Sequence, residues 1–454
     1  MRIIECLKEY PNVEDIYNYV NRKYESAILD SSLHNELGQY SIIAIKPYLK
    51  IEKKDVLYIN GKKSSKNFED YLENYLDTYY EDNETGLPLI SGAIGYFSYD
   101  YGLNKEGLKT RHEKIIDIPE CIMVFYDWFI IEDHVNNVLY LIANDKTGSA
   151  EKGMQNLKEI VSESHIKYTV KERCPGYVYS DFLKKDYLQA IDNMIKYIIE
   201  GDIYVVNMTH QIKVKSEYNP YDMFKRLRND NPSPFGAYLD YGDFQIVSAS
   251  PERFMRMKDK LITTRPIKGT RKRGENPEED MALKEELANS EKDQSELLMI
   301  VDLERNDLNK VCVPGSVRVT ELFKVETYST VFHLIANIEG RLKPELNAVS
   351  LIKAAFPGGS ITGAPKLRAM ELIDQEEHSR RNLYTGSIGY ISLNGDCDFN
   401  IVIRTAVHKD GEFHIGAGGG ITCESELDFE YEETWQKARA LLNSLGVKEE
   451  DEYK

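Results

Sequence analysis

The sequence predicts an α+β fold of large, mostly antiparallel sheets with outer helices. Three observations carry this expectation. Strand-like runs follow one another across turns through the first part of the chain, among them "YSIIAIKPYLKIE", "SGAIGYFSYDY", "CIMVFYDWFIIED" and "NVLYLIAND", as expected of an antiparallel sheet. Further along, strands and helices do not alternate strictly, which argues against a barrel of βα units. No internal period of roughly 20–50 residues is visible, so a solenoid is not indicated.

Up to about Val170 strand-like segments dominate, and "VLYINGK" carries an Asn60-Gly61 pair suited to a tight hairpin. "AEKGMQNLKEIVSES" has helical spacing, and "HIKYTVKERCPGYVYS", with its Pro175-Gly176 break, reads as a connection. The chain is therefore divided into residues 1–170 and 171–454, intertwined rather than separable. The second part opens on the helix "DFLKKDYLQAIDNMIKYIIEG", with Ser180 placed as its cap and Gly201 as its stop. The strands "DIYVVNMTHQIKV", "FGAYLDYGDFQIVSAS" and "RFMRMKDKLITTRP" follow, then a long acidic helix through Leu303 and the strand "YSTVFHLIANIEG". After a further helix comes "FPGGSITGAPK", where Pro365 stands at the start of another helix. Two more strand runs, "GAGGGI" and the helix "ELDFEYEETWQKARALLNSLG" come last.

At 454 residues the chain is far longer than a minimal core requires. Its 75 Asp and Glu against 57 Lys and Arg give a net charge of -18, which opposes a polyphosphate partner, so nucleic acid is set aside. Six cysteines are scattered without a Cys-x-x-Cys pair, indicating neither zinc nor a disulfide framework and fitting reduced thiols in a cytoplasm. The N-terminus carries acids where an export signal has basic and apolar regions, and no run is long enough to span a bilayer. A cytoplasmic protein without a membrane partner is expected.

Several clusters could carry chemistry. Asp293 and Glu296 lie three apart and share a face of one helix, and Glu430 and Glu433 do so on another. Either pair alone reads more readily as a solvated face. Together they would suit a hard cation such as Mg²⁺, which takes oxygen ligands and keeps positions for water or an anionic substrate. The loop "FPGGSITGAPK" leads into a helix whose free N–H groups could hold an anion. It is not a P-loop, because Ala364 and Pro365 stand where Lys and Ser/Thr are needed, and "GAGGGI" has Ile421 at the third glycine of a dinucleotide motif. Glu252 in "SASPERF", His333 in "VFHLIANIE", Arg404 in "NIVIRTAV" and Lys268 in "RPIKGTRKRG" are polar groups at the ends of or inside strand-like runs, each also open to a structural reading.

Read in order, "GDIYVVN", "SASPERF", "TRPIKGTR", "SELLMIVDLERNDL", "VFHLIANIEG", "FPGGSITGAPKLRAME", "GSIGYISLNGDCDFNIVIRT", "GAGGGI" and "EYEETWQKA" resemble the chorismate-utilising enzymes. That family includes anthranilate synthase component I, aminodeoxychorismate synthase component I and the isochorismate and salicylate synthases. The resemblance covers nearly the whole chain and implies the fold of anthranilate synthase component I. At Lys268 the family divides: anthranilate synthases resemble "PIAGT", whereas enzymes forming 4-amino-4-deoxychorismate resemble "PIKGT", as here. The resemblance therefore implies an amino-group transferase, of the aminotransferase class, that converts chorismate and ammonia to 4-amino-4-deoxychorismate for 4-aminobenzoate and folate synthesis. Anthranilate synthase component I and a non-catalytic regulatory relative stay open as alternatives.

The same resemblance implies roles. Lys268 adds at C2 and is displaced when ammonia enters at C4. A free lysine is only about 0.1% neutral near pH 7.4, a penalty of roughly 4 kcal/mol, and Arg265, Arg271, Lys272 and Arg273 are the nearby cations expected to reduce it. Glu252 would protonate the departing C4 hydroxyl, and His333 would border the reacting edge of the ring. Glu296 and Glu433 would ligate Mg²⁺, with Asp293 and Glu430 acting through water. Tyr390 and Arg404 would hold the enolpyruvyl carboxylate, N–H groups around Thr362, Gly363 and Gly418 would make further carboxylate contacts, and Thr270 and Lys366 would line the site. Val205 stands where relatives have Gln, or the water-activating Lys of the isochorismate and salicylate synthases, so water addition is disfavoured. No "GxCxG" nucleophile motif occurs, which implies a separate glutamine amidotransferase subunit as the ammonia source.

Overall fold

The computed structural model describes residues 1–165, 168–173, 176–328 and 331–447. Among them every strand-to-strand pairing is antiparallel. The pairings form one ribbon that doubles back on itself. One limb runs from Tyr177–Ser180 through Val205–Lys215, Glu412–Ile421, Thr405–Lys409, Phe244–Ser250, Phe235–Asp240, Ser26–Asp30 and Tyr40–Lys53 to Cys121–Asp133. From there the other limb runs through Gly92–Phe97, Ser387–Ser392, Cys397–Asn400, Arg253–Lys258 and Leu261–Thr264 to Val331–Arg341, which also pairs with Ile267–Lys272. N-terminal strands thus sit between strands from the second part of the chain in both limbs.

Cys121–Asp133 shows how one strand serves both limbs. Cys121, Met123 and Phe125 face an outer core covered by helices such as Phe68–Thr78 and Glu291–Val311. Trp128 and Ile130 face a second outer core under Val13–Lys23, Ala150–Glu163, Lys184–Ile199 and Leu427–Leu445. Ile122, Val124, Tyr126, Phe129 and Ile131 face a middle core lined by strands and loops alone. Strand side chains alternate faces, so the phase must slip between Tyr126 and Phe129. The partner strand supplies that slip at the irregular register between Pro47 and Leu49. The result is helices outside and two sheet faces inside, as the expected α+β architecture requires.

Several elements differ from expectation in their bounds. The strand in "SGAIGYFSYDY" ends at Phe97, because Ser98 caps the helix Tyr99–Lys105 by accepting from the Tyr101 N–H. The helix expected from Asp181 begins at Lys184. Tyr177–Ser180 is drawn into the sheet against Val205–Lys215, and Ser180 Oγ instead accepts from Phe182 N–H and contacts His210 Nδ1. The acidic stretch splits into Pro277–Ala288 and Glu291–Val311, with Ser290 capping the second through the Asp293 N–H, and it runs past Leu303 to Val311. Asn60 and Gly61, both at positive φ, close the predicted hairpin, and Pro365 directly precedes the helix Lys366–Glu376. Pro175 of the predicted break and Ser329 and Thr330 of the predicted strand lie outside the described residues. No described helix is long and apolar enough to cross a membrane.

Candidate active site

Lys268 lies on Ile267–Lys272 at a β-bulge. It opposes Leu334, Thr270 opposes His333, and Gly269 is the inserted residue between them. Gly269 has φ +71, and a Cβ there would stand 2.9 Å from Asp293 Oδ1 and 2.8 Å from Leu287, so both backbone and space demand glycine. From this bulge Nζ of Lys268 reaches Gly420 on Glu412–Ile421 of the other limb. The two limbs thus meet at this lysine.

Its charged neighbours are carboxyl groups. Glu252 immediately precedes Arg253–Lys258 and is held by its backbone: the Ile401 N–H donates to the Glu252 carbonyl at 3.0 Å, and Arg253 makes a two-pronged pair with Asp398, both bonds 2.9 Å. Ser360 Oγ donates to Glu252 Oε1 at 3.1 Å. Burial pushes the Glu252 carboxyl up to about 7, outweighing the opposite pulls of Lys268, Ser360 and Lys437. Burial also raises Glu296 on the Glu291–Val311 helix, outweighing Lys268 and Lys292, while Asp293 and Glu433 add to the rise.

The three arginines adjacent in sequence are drawn into ion pairs. Arg265 pairs with Glu326, Arg271 with Glu286 (2.8 Å) and Asp293 (3.1 Å), and Arg273 with Asp280 (2.7 Å). Each guanidinium has found a carboxylate of its own in this acidic chain.

Across the two helices, Glu433 bears electrostatically on Glu296. A Cβ on Gly419 would lie 3.0 Å from Glu433 Oε2 and 3.2 Å from Glu430 Oε2, so the triple glycine of "GAGGGI" is the floor on which these groups rest. Ser425 donates to the buried Glu430 at 2.7 Å. Glu433 pairs with Lys437 at 2.6 Å, and Lys437 also donates to the Gly418 carbonyl at 3.0 Å. Among the described residues no three His, Cys, Asp or Glu form a group that could hold a metal ion, and Asp293 and Glu433 each face a protein cation. The donor chemistry nonetheless fits a hard divalent ion: carboxylate oxygens only, drawn from two helices, with mutual repulsion between Glu296 and Glu433 that a cation would relieve. Lys437 and Ser360 were missed at the sequence level. Lys437 was signalled by its place four residues after Glu433 on the same helix face, Ser360 only by its presence in the glycine-rich loop.

His333 Nδ1 lies 2.9 Å from Thr270 Oγ1, and its imidazole is lowered to about 4 by burial and then by Arg404, so it is neutral. Arg404 adopts left-handed backbone (φ +48) and has no ion pair among the described residues. Gly363 and Gly418 flank Val205–Lys215 on opposite edges, paired with Val206 and Thr209, and Thr362 Oγ1 donates back to the Gly358 carbonyl at 2.8 Å. Val205 is buried opposite Ala364.

Two expected site residues go elsewhere. Tyr390 faces the middle core, as Ile388 does, and lines a separate cavity with Asp30, Arg253, Arg256 and Asp398; it is not brought to Arg404. The alternation of its strand decides this. Lys366, expected to line the site, is committed to Asp307 and to the carbonyls of Ala355 (2.9 Å) and Pro357 (2.8 Å), so it fastens the glycine-rich loop to the long helix.

A family model described as chorismate binding enzyme matches residues 29–443. Aminodeoxychorismate synthase component 1 of Bacillus subtilis (strain 168) is 37% identical over 430 residues, covering 91% of each chain. Anthranilate synthase component 1 of Acetivibrio thermocellus is 35% identical over 431 residues, covering 90% of this chain and 87% of its own. The crystal structure of anthranilate synthase component I from Streptococcus pneumoniae TIGR4 superposes with a TM-score of 0.80 at 31% identity, over 90% of this chain and 93% of that one.

Proposed function

The chain belongs to the chorismate binding enzyme family, and from that premise we propose that it replaces the C4 hydroxyl of chorismate by an amino group, giving 4-amino-4-deoxychorismate. Overall identity hardly separates the two kinds of relative, at 37% and 35%. The reading rests on one observation: an amine, Lys268, standing at the meeting of the two limbs with Glu252 and Glu296 as its charged neighbours.

The residues divide the work as follows. Arg404 takes a substrate carboxylate, a role its fork geometry and lack of an ion pair suit. Neutral His333, oriented by Thr270, borders the ring. Glu252, partly ionised near neutrality, takes a proton from the Lys268 ammonium. The freed amine forms a bond to C2, the double bond moves, and the C4–O bond breaks as Glu252 returns that proton to the leaving hydroxyl, which departs as water. Ammonia then bonds to C4, the double bond moves back, and the C2–Nζ bond breaks to release Lys268. A Mg²⁺ ion held by Glu296 and Glu433, with Asp293 and Glu430 acting through water, would neutralise the ring carboxylate and withdraw electrons from the diene. Buried Val205 offers no base for a competing water. The "component 1" names of the relatives support a partner component, which we take to be a glutamine amidotransferase delivering ammonia for folate-directed synthesis.

The test is product identification with chorismate, Mg²⁺ and an ammonium salt, together with peptide masses from a reaction lacking ammonia. Non-fluorescent 4-amino-4-deoxychorismate and a mass increase on the Lys268 peptide are expected, both lost in Lys268→Ala. Fluorescent anthranilate from the parent chain, or the same product at the same rate from Lys268→Ala, would overturn the reading.

A further inference from the structure

Behind Glu252 lies a buried carboxyl group that the proposed reaction does not use. Glu304, on the Glu291–Val311 helix, is 7% exposed, and its Oε2 lies 2.9 Å from Thr264 Oγ1. The same hydroxyl oxygen lies 2.8 Å from the carbonyl oxygen of Phe254, two residues after Glu252. A threonine hydroxyl has one proton, and a carbonyl can only accept. If the hydroxyl serves the carbonyl, the remaining contact is a hydrogen bond only when the carboxyl supplies its own proton.

The surroundings favour that arrangement. The groups facing Glu304 are Thr264 from its strand, Glu252 at the start of the next, Asp307 on the same helix and Lys366 from the helix that follows the glycine-rich loop. The one cation among them, Lys366, is already committed to Asp307 and two carbonyls, while Glu252 and Asp307 add negative charge. An ionised Glu304 would be a desolvated carboxylate beside two others. Burial accordingly pushes Glu304 up to about 8, with Glu252 and Asp307 adding to the effect against Thr264 and Lys366.

We propose that Glu304 is a positioning residue that works as a neutral carboxylic acid: it donates to Thr264 Oγ1, Thr264 donates to the Phe254 carbonyl, and this chain from helix to strand to strand fixes the segment carrying Glu252. Ionisation of Glu304 deletes the donor, places a second negative charge behind Glu252 and sets an alkaline limit on the site. Only the activity arm of the test rests on the role proposed above for Glu252.

Infrared difference spectra of the full chain, parent minus Glu304→Gln at pH near neutral, should show the carbonyl stretch of a protonated carboxylic acid; loss of carboxylate bands instead would overturn the proposal whatever reaction the enzyme catalyses. In the activity arm, chorismate consumption per free ammonia by the parent should decline above about pH 8, and Glu304→Gln, whose amide can still donate to Thr264, should move that decline upward. Glu304→Ala should lower the neutral-pH rate roughly tenfold, with most of the loss recovered in Glu304→Gln. An unmoved alkaline limb in a folded Glu304→Gln, or a Glu304→Gln chain that no longer folds, would count against a neutral donor. An infrared result as expected with no chorismate consumption at all would sink the proposed function and leave Glu304 assigned.

Discussion

A Cβ atom on Gly420 would stand 3.2 Å from Nζ of Lys268. Gly420 belongs to one limb of the ribbon and Lys268 to the other, so the absent side chain is what lets the amine cross between them. Gly420→Ala is expected to shift the melting temperature by no more than about 2–3 °C, because Nζ is the movable end of a flexible chain. It should nevertheless lower turnover roughly tenfold or more by displacing the amine, and Gly420→Val more so. Full turnover in both variants would remove Lys268 Nζ from the reaction.

The pH dependence follows from a proton shared by Glu252 and Lys268. Productive addition needs one proton on the pair, and below the titration of Glu252 both groups are protonated, which locks the lysine as ammonium. Since burial raises Glu252 to about 7, the rate per free ammonia should rise with pH through about 7, up to the alkaline decline assigned above to Glu304. Glu252→Gln should abolish this acid limb and lower the maximal rate by about 10²–10⁴-fold. The same limb persisting in Glu252→Gln would reassign it to another group.

Glu433 and Asp293 are paired with Lys437 and Arg271 in the protein alone, so a divalent cation must displace protein charges to bind. Mg²⁺ affinity is therefore expected to be weak without chorismate and to tighten with it, each raising the affinity of the other by the same factor. Glu296→Gln and Glu433→Gln should weaken both, measurable by calorimetric titration of each ligand in the presence and absence of the other. Chorismate binding that ignores EDTA and both substitutions would rule out the two-helix site.

Glutamine alone should not support the purified chain, whereas ammonium salts should, and an added glutaminase subunit should restore glutamine-dependent activity. Cys121 and Cys397 are buried thiols pushed up by burial, unsuited to act as thiolates at neutral pH. Glutamine hydrolysis by the isolated chain would refute the division of labour.

What the sequence determined by itself was local. Cap residues, Asn60-Gly61 and Pro365 marked ends and turns because their effects act within a few residues, and the motif order identified the family because chemistry restricts residue type at a site. Acid pairs at i,i+3 could be placed on helix faces from spacing alone. The tertiary structure decided everything that depends on which distant segments meet. It set the slip within Cys121–Asp133 that divides one strand between two outer cores, and the drawing of Ser180 into a sheet away from a helix cap. It sent Tyr390 to the middle core by strand alternation and Lys366 to Asp307, and it gave Arg265, Arg271 and Arg273 their own carboxylates, leaving Lys268 among acids. The physical reason is range: propensities and caps are short-range and written in neighbouring residues, whereas burial and charge pairing depend on contacts hundreds of residues apart, and in a chain this acidic a cation's partner is chosen by the fold.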